Sequence, residues 1–107
     1  IETVYFRPDG VELTAEAKKK LDNIAEFLST HPQAELSFRG HTALFGTEKG
    51  RAYISDERAE NTFTYLRSLG WKPEDDVLID GLGGSEPVTM DPKRQELNRR
   101  VEILITY

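Results

Sequence analysis

The sequence predicts an α/β (α+β) two-layer sandwich, a mixed four-stranded sheet carrying two main helices on one face. Three observations predict it. Two segments place apolar residues at three- and four-residue steps, as an amphipathic helix does. Four short segments alternate apolar and polar residues, as strands with one covered face do. Their order is strand, helix, strand, helix, strand, loop or short helix, strand, and one helix layer on one sheet layer buries both kinds of face.

Each element has its own signal. Thr3 to Arg7 is β-branched and aromatic, and Pro8-Asp9-Gly10 breaks it. In the first helix Leu13, Ala17, Leu21, Ile24, Ala25 and Leu28 form one stripe. Thr14 is its N-cap, Glu16 sits in its first turn, and His31-Pro32 ends it. Lys18, Lys19 and Lys20 fall on its polar side, as a solvated face. Ala34 to Arg39 is a strand, with Leu36 and Phe38 facing one way and Glu35, Ser37 and Arg39 the other. Gly40 to Gly46 reads as a loop. The second helix runs from Glu48 to Ser68 with the stripe Ala59, Phe63, Leu66 and Leu69, and Gly70 stops it. Gly50 weakens its first turn. Val77 to Asp80 is a short strand and Gly81 to Pro92 a long loop. Arg100 to Thr106 is the last strand, with Val101, Ile103 and Ile105 on its inner face. The expected core is Phe6, Leu13, Leu21, Ile24, Leu28, Leu36, Phe38, Phe63, Leu66, Val101 and Ile103.

Composition narrows the function. The chain of 107 residues is 37% hydrophobic and 31% charged, ordinary for one globular domain, residues 1–107. Because strand begins almost at once, it reads as a domain cut from a longer chain. A net charge of −5, from 14 basic and 19 acidic residues, argues against a nucleic-acid partner. No stretch approaches a membrane span. There is no cysteine, which excludes disulfides, thiol nucleophiles and zinc ribbons. His41 has no second His or Cys at ligand spacing, so no metal or other cofactor is expected. Gly81-Leu82-Gly83-Gly84 follows a strand, but the dinucleotide pattern fails at Glu86, which leaves a turn. No serine has a base partner, so the chain does not read as an enzyme.

One constellation remains. Gly40-His41-Thr42-Ala43-Leu44-Phe45-Gly46 leads into a helix carrying Ile54-Ser55-Asp56-Glu57-Arg58-Ala59. Later come Gly81, Gly83 and Pro87, then Asn98-Arg99-Arg100-Val101-Glu102-Ile103. This set resembles the OmpA-like domain, the peptidoglycan-binding module of outer membrane protein A, peptidoglycan-associated lipoprotein and flagellar motor stators. The family pattern is roughly G-H-T-D-x-x-G, L-S-x-x-R-A, G-x-G-x-x-x-P and N-R-R-V-E-I. Phe6 and Leu13 fit it as well.

The resemblance implies non-covalent binding of the peptidoglycan stem peptide, or of another anionic ligand, in the periplasm of a Gram-negative-type bacterium. It also implies association with the outer membrane or cell wall through the rest of the parent protein, and envelope proteins as possible partners. In the family, the Asp of G-H-T-D takes the ammonium of the diamino acid and the Arg of L-S-x-x-R-A takes its carboxylate. The pairing is sound chemistry, since opposite charges a few ångströms apart read a zwitterion and Arg binds a carboxylate bidentately. Here Ala43 stands at the Asp position, while Arg58 is retained. Arg51 replaces a common Asn, and Arg51, Ser55 and Arg58 share a helix face. The expected ligand-binding residues are therefore Thr42, Ala43, Gly46, Arg51, Arg58 and Arg99, in a pocket suited to an anion and poorer for an ammonium. Three structural alternatives stand beside this: Arg58 in a surface ion pair with Asp56, Glu57 or another acid, Arg51 on a solvated face, and Arg99 paired with a helix carboxylate or loop carbonyls. The alternative function is a domain that keeps the fold and serves as a structural or protein-interaction module.

Overall fold

The structure, a computed structural model, describes residues 1–107. Its elements are β1 (Glu2–Tyr5), α1 (Ala15–Thr30), β2 (Glu35–Gly40), α2 (Glu48–Ser68), β3 (Leu78–Gly81), a 3₁₀ turn (Gln95–Leu97) and β4 (Arg100–Thr106). The strands form one mixed sheet in the order β1-β4-β2-β3. β4 pairs antiparallel with β1 and with β2, and β2 pairs parallel with β3. The parallel pair is possible because α2 provides the long crossover that such a connection needs. Both helices lie on one face of the sheet, as the one-sided alternation predicts.

Threonines fix both helix starts. Thr14 Oγ1 accepts the amide of Ala17 at 3.1 Å, and Thr47 Oγ1 accepts that of Gly50 at 3.0 Å. Each cap satisfies an amide that the first turn leaves without a partner. Gly50 is thus part of the capped first turn. Gly70, with φ +105°, ends α2 in the left-handed conformation that glycine tolerates best.

The core unites Val4, Phe6, Leu21, Ile24, Leu28, Leu36, Phe38, Ala59, Leu66, Val101 and Ile103. Leu13 and Phe63, expected inside, are half-buried at its margin. Phe63 closes an aromatic cluster with Phe38 and Trp71, at ring-centroid distances of 5.9 and 5.7 Å. Leu69 is exposed, contrary to the stripe drawn through it, because the chain turns away as α2 ends. The inner face of α2 is largely polar: Ser55, Arg58 and Thr62 are buried beside Ala59 and Leu66.

Strand limits shift slightly. Ladder pairing of β1 stops at Tyr5 rather than Arg7, although the Phe6 amide still donates to the Arg99 carbonyl at 2.8 Å. Pro8 then lacks an amide with which to continue. β3 lies one residue later than expected, and β2 extends to Gly40. There α2 crosses so closely that a Cβ on Gly40 would overlap the carbonyl oxygen of Ser55. A Cβ on Gly81 would overlap Asp56 in the same way. Two glycines at the ends of the parallel pair therefore let α2 settle on the sheet and fix the height of Arg58.

Candidate functional site

Arg58 organises the upper end of the sandwich. Its side chain is 1% exposed and donates three hydrogen bonds, all to backbone carbonyls. Nε reaches Gly10 at 2.7 Å, Nη1 reaches His41 at 2.9 Å and Nη2 reaches Arg7 at 3.2 Å. The guanidinium also lies over the Phe6 ring, 5.2 Å from its centroid. It thus ties the β1–α1 loop to the end of β2. No carboxylate pairs with it; in particular, the expected alternatives Asp56 and Glu57 do not. A guanidinium has five N–H donors, so two remain available. Burial, and after it the nearby charge of Arg99, lowers the pKa of Arg58 to about 10, and Asp9 pushes it the other way. The group is charged at neutral pH and lacks an anion.

A cleft of about 270 Å³ opens over this group. It is lined by Thr42, Ala43, Gly46, Arg51, Arg58 and Arg99, the six residues singled out from the sequence, together with Asp9, Phe45, Ile54 and others. Arg99 is half-buried and donates from Nε to the Phe6 carbonyl at 3.0 Å, so its anchor is backbone rather than a helix carboxylate. Arg51 reaches the Gly46 carbonyl and is partly covered, not free on a solvated face. Ser55 does not line the cleft with Arg51 and Arg58. Its hydroxyl accepts the Gly83 amide at 2.9 Å on the β3 side of the helix, and Ile54 faces the cleft instead. Thr42 is buried; its amide donates to the Gly83 carbonyl and its hydroxyl to the Ala43 carbonyl, which shapes the loop.

The loop after β3 locks this end of the sheet. Asn98 accepts the amides of Val88 and Thr89 and donates to the Thr89 carbonyl. Gln95 Oε1 accepts the Leu44 amide at 2.8 Å, which ties this loop to the Gly40–Gly46 segment. Beneath the loop, on the sheet face opposite the helices, lies a buried network that the sequence reading did not identify. Alternation places Arg100 on the outer face, but Arg100 is buried. It donates to Glu102 Oε2 at 3.1 Å and to the Glu86 carbonyl at 3.0 Å. Glu102 Oε1 meets His41 Nε2 at 3.1 Å. His41 Nδ1 and Arg100 Nη1 have no partner. Burial, reinforced by the charge of Arg100, lowers the His41 pKa. Burial pushes the Glu102 carboxyl upward, but the hydrogen bond and charge of Arg100 and the contact with His41 outweigh it, and its pKa is lowered. His41 is thus neutral, with Nε2–H donating to Glu102, and its own carbonyl joins this network to Arg58. The signal that could have revealed it is the Arg-x-Glu spacing at the start of a strand followed upstream by a long, Gly- and Pro-rich loop.

No group of three or more His, Cys, Asp or Glu side chains is arranged to hold a metal ion. No helix is long and apolar enough to cross a membrane.

The OmpA family model matches residues 5–100, which include the cleft, its arginines and the Asn98 lock. The chain belongs to the OmpA family. Among OmpA-family relatives, the chain is 28% identical over 105 residues to a peptidoglycan-associated lipoprotein of Buchnera aphidicola, covering 98% of this chain and 60% of that one. It is 30% identical to the peptidoglycan-binding protein ArfA of Mycobacterium bovis, covering 95% of this chain and 32% of that one. It therefore spans less than two thirds of the length of these relatives. In fold, this OmpA-family domain is similar to the peptidoglycan-associated lipoprotein of Burkholderia pseudomallei, with a TM-score of 0.89 at 26% identity over 99% of this chain and 91% of that one. The C-terminal domain of Helicobacter pylori MotB has the same fold, with a TM-score of 0.85 at 18% identity over 100% of this chain and 85% of that one.

Proposed function

We propose that this domain is a non-enzymatic cell-wall-binding module of the periplasm that holds the free end of a peptidoglycan stem peptide in the cleft above Arg58. One observation carries the reading: a buried, charged guanidinium with two spare donors and no carboxylate, flanked by Arg51 and Arg99. A bound carboxylate would supply the missing anion and can be held bidentately. The cleft lies just below the range of drug-sized pockets, which suits one amino-acid end rather than a disaccharide. Similarity to a peptidoglycan-binding and a peptidoglycan-associated protein supports the ligand class. Ala43, where the resemblance leads one to expect Asp, removes a carboxylate from the loop side and shifts recognition toward the ligand's anionic group.

The test is sedimentation with purified sacculi of defined stem-peptide chemistry at two salt concentrations. Retention in the pellet, lower at high salt and lower in Arg51→Gln and Arg99→Gln, is the expected result. A domain that stays in the supernatant with every wall type, while unfolding cooperatively, would instead be the structural or protein-interaction module that Ala43 also allows.

A further inference from the structure

We infer that Asp9 supplies the counter-charge missing at Ala43, so that the cleft reads an ammonium from the β1–α1 loop instead of from the loop after β2. The inference rests on the stem-peptide reading and names the group that completes it.

The turn that carries Asp9 is built around Arg58. Arg7 to Gly10 closes with the Gly10 amide donating to the Arg7 carbonyl at 2.9 Å. Both ends of that turn, the carbonyls of Arg7 and Gly10, accept from Arg58. The side chain that would take the ligand's carboxylate therefore also fixes the position of the turn that presents Asp9. Pro8 occupies the second position of the turn. Asp9 occupies the third with φ +53°, the type II pattern, where glycine is strongly preferred. Asp9 is the only non-glycine residue in the chain with positive φ. An aspartate is thus held in a conformation that favours glycine, and no hydrogen bond or ion pair to its carboxylate offsets that cost. Its carboxylate is exposed and joins none of the four ion pairs. It is also the only acidic side chain lining the cleft, against three arginines. Its charge is felt at Arg58, since it counteracts the fall in that group's pKa. A zwitterion bound with its carboxylate on Arg58 has one acidic group in the cleft to meet its ammonium, and that group is Asp9. The net positive balance of the cleft further favours ligands with an unamidated carboxylate.

Two probes of equal length separate the charges: meso-diaminopimelate, and pimelate, which has both carboxylates but no amine. Binding is read from amide shifts of cleft residues in ¹H–¹⁵N spectra during titration. Asp9→Asn keeps a residue that tolerates the left-handed region, so the turn survives. It is expected to weaken diaminopimelate binding about tenfold, the scale of one charge-assisted hydrogen bond at a partly exposed site, and to leave pimelate binding equal or stronger. Adding Ala43→Asp to Asp9→Asn should restore the preference for diaminopimelate. Asp9→Gly should raise the unfolding midpoint while weakening diaminopimelate binding, opposite movements that a merely structural Asp9 would not produce. If Asp9→Asn leaves the ratio of the two affinities unchanged while both probes bind, Asp9 does not hold the ammonium and the carboxylate reading of the cleft stands. If neither probe shifts the cleft amides of the parent domain, both the inference and the reading beneath it are overturned.

Discussion

Replacing Arg58 with alanine should damage the fold as well as the cleft. The substitution removes three hydrogen bonds, to the carbonyls of Arg7, Gly10 and His41, and the contact with the Phe6 ring. A hydrogen bond to a charged group contributes about 1.5–3 kcal/mol, and a partly desolvated cation–π contact about 1 kcal/mol. Against that loss stands relief from keeping a guanidinium buried without a counter-ion, together with water entering the space to serve some of the freed carbonyls. The balance is a net destabilisation of about 2–4 kcal/mol, a large part of the roughly 5–15 kcal/mol that holds a domain of this size together. At about 4–8 °C per kcal/mol, the melting temperature should fall by roughly 10–30 °C. Arg58→Lys should fall between the two, because an ammonium keeps the charge but cannot reach three carbonyls in one plane. The assay is thermal unfolding by circular dichroism, with hydrogen exchange at the Gly10 and His41 amides to localise the loosening. An Arg58→Ala domain that melts within 2–3 °C of the parent, on the same scale, would refute the reasoning, because the carbonyls of the β1–α1 loop would then be held by something other than this side chain.

Two further outcomes follow from the packing. Stability should fall in two stages on acidification. His41 has a lowered pKa in the fold, so below its ordinary value of 6.5 the unfolded chain takes up the proton that the native state resists, and stability drops as pH falls. Glu102, also lowered, adds stability above the ordinary carboxyl value of 4.5 that is lost as pH falls through and below it. Urea midpoints from pH 8 to 4 read both stages, His41→Gln should remove the upper one, and a flat profile between pH 7 and 5.5 would contradict the neutral assignment of His41. Gly40→Ala should destabilise by about 3 kcal/mol or more, since the added methyl meets the Ser55 backbone rather than a side chain that can move, and an unchanged melting temperature would show that α2 does not sit that close.

The layers, both helices and the strand order along the chain were legible because they depend on local periodicity and capping, which neighbouring residues carry. Thr14 and Gly70 bound their helices by short-range chemistry legible in the sequence, whereas Thr47, which caps α2 in the same way as Thr14 caps α1, was not singled out there. What was not legible depends on residues brought together from far apart. Arg100 alternates outward and reads as solvent-facing, and only the long loop folding back through Asn98 and Glu86 buries it. The inner face of α2 was obscured because Ser55, Arg58 and Thr62 are polar, so its apolar stripe is thin. All six proposed ligand residues line one cleft, but the sequence offered no way to see that Arg58 is fastened to backbone or that Asp9 borders the same space.

The fastening of Arg58 to backbone bears on how the domain's motifs should be read. An arginine that ties the β1–α1 loop to the end of β2 is needed by the fold whether or not a ligand is bound. A domain that had abandoned the cell wall would still keep it, as it would keep Gly40 and Asn98, each of which has a packing or hydrogen-bonding task. Arg58 at family spacing therefore separates the binding reading from the scaffold reading only weakly. Residues with no structural task separate them better. Asp9 bears an unfavourable backbone conformation and makes no hydrogen bond or ion pair through its carboxylate, at the rim of a cleft otherwise dominated by cations. In a pure scaffold, glycine at that turn position would be more stable. An aspartate there is the feature of this sequence that a ligand explains and the fold alone does not.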